Sequence, residues 1–256
     1  MSSLPAILTP SLLSSIRNTP NLPSNTWYLI AAATLTQLNR PDEVSKIYQH
    51  ALNNGSDHAE YVLSYDEQLR VTRRLREALI KLTAIGGVPR TINALQELKK
   101  VTPQELLDEP EVTSPTNRRS EVFETPTSEI LQRGQSFFDR LYGKVAPRVL
   151  RQMFQSGTED LGLVAQLMYG YILSNTTLLS AAETSFVMIA GLIPQDVPLQ
   201  LKGHLRGALN VGATVEQVRA VRKVAIEICE ASGMRMLDSS SLAGFGWRSE
   251  IVDLKV

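Results

Sequence analysis

One of the three histidines in this 256-residue sequence, His204, stands where it could move protons. An unperturbed imidazole titrates near neutral pH, so it can take a proton from a substrate carbon and return it. His204 lies in Leu199–Gly212, LQLKGHLRGALNVG, an amphipathic stretch that begins after Pro198 and stops at a glycine. Upstream, Glu183 closes Ser180-Ala-Ala-Glu183 at the head of a second apolar stretch, and downstream Thr214-Val-Glu-Gln217 opens a third. Three consecutive helices therefore frame one histidine and one glutamate, with His204 as proton shuttle and Glu183 as the group that holds or charges it. Each residue also has a plain structural role open to it. Ser180-x-x-Glu183 is a capping box, in which the carboxylate reaches back to the N-cap amide, and a histidine can sit between helices for packing alone.

Tyr169 and Arg206 are the candidates for holding a substrate. Tyr169, like Tyr142, precedes a glycine, so it could orient a ligand or pack against a helix end. Arg206 lies two residues from His204, on another face of the helix, and reads equally as a surface or subunit-contact charge. His50 and His58 lack a carboxylate pattern at ligand spacing, so no metal site is expected, and no cofactor is implied. Cys229 is the only cysteine, which excludes an intrachain disulfide and a Cys-x-x-Cys pair. It follows Val218, Val221, Ala225 and Ile228 at helical spacing and reads as a buried apolar residue.

The elements that must position these residues are helical throughout, because helix spacing and helix punctuation recur and alternating strand patterns do not. Trp27–Leu38 reads as a buried helix, Pro41–Asn53 as an amphipathic one, and residues 66–85 as a long helix stopped by Gly86-Gly87. Arg70, Arg73, Arg74 and Arg76 on that helix are expected to form a solvated face flanked by Glu67 and Glu77. Thr91–Lys100, Ser128–Leu141, Pro147–Phe154 and Leu161–Ile172 follow as helices. Residues 101–127 carry Pro103, Pro110, Pro115 and Pro126 with few large apolar side chains, and read as a linker. Residues 1–24 and 239–256 form an N-terminal segment and a C-terminal tail.

Equal numbers of basic and acidic residues, 26 of each, leave no field to draw nucleic acid or an acidic membrane. The longest apolar runs fall short of the roughly 20 residues that span a bilayer. A soluble protein is expected, with the cytoplasm as default compartment and the mitochondrion or peroxisome as alternatives. The first twenty residues are too poor in arginine, and too interrupted by Pro5 and Pro10, for a typical transit peptide. The final DLKV is not a peroxisomal SKL-type signal.

A shift of 157 positions lays Pro41 on Pro198, Ala51-Leu52-Asn53 on Ala208-Leu209-Asn210 and Gly55 on Gly212. Two tandem copies of one helical unit are expected, residues 25–100 and 128–238. The first is degenerate, since Thr26 and Ile47 stand where the second has Glu183 and His204, so one site per chain is expected.

Arg133-Gly134 through Phe138, Leu141-Tyr-Gly-Lys144, Tyr169-Gly170, the Glu183 helix and His204-Leu-Arg-Gly-Ala-Leu-Asn-Val-Gly-Ala-Thr214 occur in an order that resembles the carboxymuconolactone decarboxylase family. Ala51–Gly55 and Gly87–Leu95 are similar to the corresponding pieces in the first copy. The resemblance implies an all-α alkylhydroperoxidase-D-like fold, assembled as trimers or hexamers. It also implies that Glu183 and His204 are an acid/base pair for cofactor-free opening and decarboxylation of a lactone or keto acid. The peroxidase branch needs Cys-x-x-Cys, which this chain lacks, so thiol peroxidase activity is not expected. The alternative is a non-catalytic oligomeric scaffold or binding protein of the same fold. Leu/Ala-rich helices in both copies point to self-association, with a small-molecule substrate as the other partner.

Overall fold

The computed structural model describes residues 4–53, 63–108 and 114–235. Among these residues every regular element is a helix. His58, Gly55, Pro110 and the tail from residue 239 lie outside the described residues.

Local signals account for where the helices begin. Pro10, Pro41, Pro89, Pro147 and Pro198 each occupy the first turn of a helix, where a missing amide proton costs nothing. Complete capping boxes open three others, Ser64 with Glu67, Ser180 with Glu183 and Thr214 with Gln217. The resulting elements are α1 (Pro10–Arg17), α2 (Trp27–Gln37), α3 (Pro41–Leu52), α4 (Tyr65–Lys81), α5 (Thr83–Gly86), α6 (Val88–Val101) and α7 (Arg118–Glu124). They continue with α8 (Thr127–Tyr142), α9 (Ala146–Phe154), α10 (Asp160–Leu167), a π-helical turn Met168–Leu173, α11 (Ala181–Leu192), α12 (Pro198–Asn210) and α13 (Val215–Ala231).

Two helices form the centre. All of α2 is buried, and so is α11 from Thr184 to Leu192, which is why neither carries an amphipathic stripe. They pack on each other, and the Thr34 hydroxyl lies 3.4 Å from the Ala190 carbonyl. Around them α3, α4 and α13 cover α2, while α12 and α13 cover α11. The apolar core is one continuous cluster that draws residues from both halves of the chain. The run α2–α3–α4 has 11, 12 and 17 residues and the run α11–α12–α13 has 12, 13 and 17.

Three stretches differ from their expected form. In the N-terminal segment Pro10 starts a helix instead of breaking one, capped by the Thr9 hydroxyl. That segment is fastened to the fold, because the buried Glu43 carboxylate accepts the amides of Ile7 and Leu8 at 3.1 and 3.2 Å. The stretch 101–127 is likewise packed where it is described: Leu106 is buried, α7 forms, and Asn175 donates to the Thr116 carbonyl at 2.7 Å. The helix expected at 161–172 changes to π-helical pitch at Met168, so that the Ser174 amide reaches the Tyr169 carbonyl five residues back.

The arginine-rich face of α4 is not simply solvated. Glu77 is buried and takes the Arg118 guanidinium, with Nη1 to Oε2 at 2.8 Å. Lys81, fully buried, donates to the carbonyls of Ile172, Leu173 and Asn175 at 3.3, 2.9 and 2.8 Å. Arg118 adds a bond to Tyr171 and Arg133 one to Gly170, so three cations cap the carbonyl end of the π-helical turn. Such an end carries partial negative charge and unpaired acceptors, which explains why cations collect there.

Candidate functional site

His204 projects from α12 toward Tyr142 at the end of α8. Two close backbone approaches make this possible. A β-carbon on Gly134 of α8 would stand 2.5 Å from the Gly170 nitrogen, so only glycine lets the turn come in against α8. At Gly207 a β-carbon would meet the Leu141 side chain at 2.7 Å, so α12 also rests on α8 without a spacer. The Asn210 amide then ties the end of α12 to the Leu141 carbonyl at 2.8 Å.

These approaches bring an aromatic group around the histidine. The Tyr142 ring stands edge-on to the imidazole with centroids 6.2 Å apart. Phe138 packs against Tyr142 at 4.4 Å and edge-on to Tyr169 at 4.8 Å. The Tyr169 hydroxyl donates to the Tyr142 hydroxyl at 3.2 Å. His204 is only 6% exposed, and its Nδ1 is buried with no hydrogen-bond partner among the described residues.

Burial alone pushes the His204 pKa down from 6.5 to about 4. Burial also raises Tyr142, and raises Tyr169 far above the ordinary phenol value. At neutral pH the group therefore consists of an uncharged imidazole and two protonated phenols. It offers hydrogen bonds and a weak base, and no charge.

Glu183 is elsewhere engaged. Its Oε2 accepts the Ser180 amide at 2.9 Å, and its Oε1 forms an ion pair with Arg74 of α4. The nearby Tyr28 hydroxyl is buried with no hydrogen-bond partner among the described residues; burial pushes its pKa up to about 12, against the pull of Arg74 and with the help of Glu183. No hydrogen bond or ion pair joins Glu183 to His204 among the described residues, and no charge enters the displacement of the His204 pKa.

Of the four residues singled out from sequence, the structure thus brings together His204 and Tyr169, through Tyr142, and leaves Glu183 in its capping box. Arg206 is half-buried, about 200° around α12 from His204. Tyr142, named beside Tyr169 as able to orient a ligand, lies against His204, while Arg74 and Tyr28 are the residues that sequence reasoning did not assign to these two places. Arg74 had no local signal, since its partner is 109 residues away. Cys229 is fully buried and burial pushes its thiol up to about 12, so it stays protonated. No group of three metal-ligating side chains occurs among the described residues. No helix there is long and apolar enough to cross a membrane.

No family model matches the chain. It is similar to peroxisomal protein 2 of Schizosaccharomyces pombe, 36% identical over 208 residues that cover 81% of this chain and 87% of that protein. It is also similar to peroxisomal protein 2 of Saccharomyces cerevisiae, 32% identical over 273 residues that cover 90% of this chain and 93% of that protein. No solved structure matches.

Proposed function

The chain belongs to the peroxisomal protein 2 family, and on that premise we propose that it is a non-catalytic, self-associating binding protein of the peroxisome, built on a carboxymuconolactone-decarboxylase-like fold. One observation carries the non-catalytic reading. The carboxylate that a His/Glu lyase would use is spent on the Ser180 amide and on Arg74, while His204 lies buried, uncharged and without a carboxylate beside it. A general base works best with a pKa near the operating pH, and an imidazole held near 4 is some three units too weak. The equal order and similar lengths of α2–α4 and α11–α13 support descent from two copies of one unit. The names of both relatives support the peroxisome over the cytoplasm.

Self-association is supported by α10. Leu161, Leu163 and Val164 are 50, 45 and 49% exposed on a helix whose first turns carry one charged residue, Asp160. A helix apolar on several faces normally has cover, and a second copy of the chain supplies it. Sedimentation at micromolar concentration is expected to show an oligomer that Leu163→Asp returns toward monomer. A wild-type monomer at that concentration contradicts the reading.

A second reading rests on the unpartnered His204 Nδ1 next to the Tyr142–Tyr169 pair, since an orphaned buried polar atom calls for an explanation. In that reading the three side chains act on a small lactone or keto acid without cofactor. Turnover of such an acid that falls at least about a hundredfold in both His204→Gln and Tyr142→Phe favours it; no turnover across a panel of such acids supports the binding protein.

A further inference from the structure

We propose that the cleft between α4, α6 and the segments 102–108 and 114–118 is a binding site for an amphiphilic monoanion, a carboxylate carrying an aliphatic tail. The cleft encloses about 1260 Å³ and lies apart from His204, so the inference does not depend on how that histidine is read. Its volume exceeds the roughly 300–1,000 Å³ usual for small-molecule sites, which leaves room for a tail as well as a head.

The floor is aliphatic. Ile80 of α4, Leu95 of α6, Leu107 and Leu178 line it and remain partly exposed. Apolar surface left to water inside a concavity is the feature that a hydrocarbon tail would cover. No aromatic ring is among the described residues that line the cleft, so none of them would stack on a nucleobase or a ring ligand.

The rim supplies the charge. Arg73 and Arg76 share one carboxylate: Arg73 Nη2 stands 2.7 Å from Asp108 Oδ1, and Arg76 Nη1 a long 3.5 Å from Asp108 Oδ2. Lys99 and Glu105 also line the cleft, which leaves three cations against two anions on the rim. Deeper in, Glu77 and Arg118 neutralise each other. A surplus of one positive charge suits one carboxylate, and the planar Arg76 guanidinium, 38% exposed, can take it in a two-pronged bond. A dianion such as phosphate carries one negative charge more than that surplus offsets.

Calorimetric titration of the full-length protein with octanoate, decanoate, 1-decanol and inorganic phosphate tests this. Decanoate is expected to bind about fifteenfold more tightly than octanoate, from about fourfold for each methylene removed from water. Arg76→Gln is expected to weaken decanoate about tenfold and leave 1-decanol unchanged, and Lys99→Gln to act in the same sense. Leu95→Glu, whose fold is checked by circular dichroism, is expected to abolish binding of both. The proposal is overturned if decanoate does not bind at millimolar concentration, if Arg76→Gln and Lys99→Gln both leave its affinity unchanged, or if phosphate binds as tightly as decanoate.

Discussion

Replacing His204 with leucine should make this protein more stable, and more so in acid. Two costs attach to the imidazole where it stands. Its Nδ1 is buried without a partner, and an unsatisfied buried group of this kind costs about 1–3 kcal/mol. Its pKa is held at about 4 against 6.5 in the open, a difference that corresponds to about 3 kcal/mol. Below pH 6.5 the unfolded chain takes up a proton at residue 204 that the folded chain refuses until about pH 4, so stability falls as pH falls through that window. Going from pH 7.5 to 5.0 the histidine should therefore remove about 2 kcal/mol of stability. Leucine has neither cost and is close in size. At pH 7.5 His204→Leu should gain about 1–2 kcal/mol, which is about 2–8 °C in Tm for a chain of this length. At pH 5.0 the advantage over wild type should grow by about 2 kcal/mol. Urea denaturation of both proteins at the two pH values, followed by far-ultraviolet circular dichroism, measures each quantity. A leucine variant less stable than wild type at pH 7.5, with an unchanged gap at pH 5.0, would refute the reasoning and point to a histidine that makes a real bond.

Other perturbations separate the two polar centres and the backbone approaches. Glu183→Gln should lose about 1–3 kcal/mol in urea denaturation, because Arg74, only 12% exposed, is left without its counterion. Lys81→Met should cost about 3–5 kcal/mol by the same assay, since the buried Leu173 and Asn175 carbonyls lose a donor and the buried Glu77 loses one of its cations. Gly134→Ala should cost at least about 2 kcal/mol and change the near-ultraviolet tyrosine signal, because the new methyl group meets Gly170 backbone that cannot swing away. A Gly134→Ala protein with wild-type Tm would mean that α8 and the π-helical turn stand farther apart than described.

The helices were legible where local chemistry decides them. Ser180-x-x-Glu183, Thr214-x-x-Gln217 and the first-turn prolines placed α11, α12 and α13 within a residue or two. α1 and α7 were missed because their short, polar or proline-bearing sequences form helices only against partners elsewhere, Glu43 for the N-terminal segment and Glu77 for Arg118. The switch to π-helical pitch at Met168 follows from Lys81, Arg118 and Arg133 converging on its carbonyls, and no window around Met168 contains them.

The candidate site was legible in parts. The capping role of Glu183 was written in four consecutive residues, and its ion pair with Arg74 was not written anywhere near them. His204 stood out by residue type, but its burial depends on how closely Gly134 and Gly207 let three elements approach. Tyr142 and Tyr169, 27 residues apart, share a hydrogen bond that neither one's glycine neighbour announces. Residue type suggested a proton shuttle, and burial lowers the basicity that a shuttle draws on.

A proton NMR titration of the His204 ring in the wild type and in Glu183→Gln bears most directly on whether an acid/base couple exists. The structure predicts a midpoint near pH 4 in the wild type and the same midpoint in the variant, because burial and not a carboxylate sets it. A midpoint at or above 6.5 that falls on removal of the Glu183 charge would show that the two side chains are coupled, and would return the protein to the lyase reading.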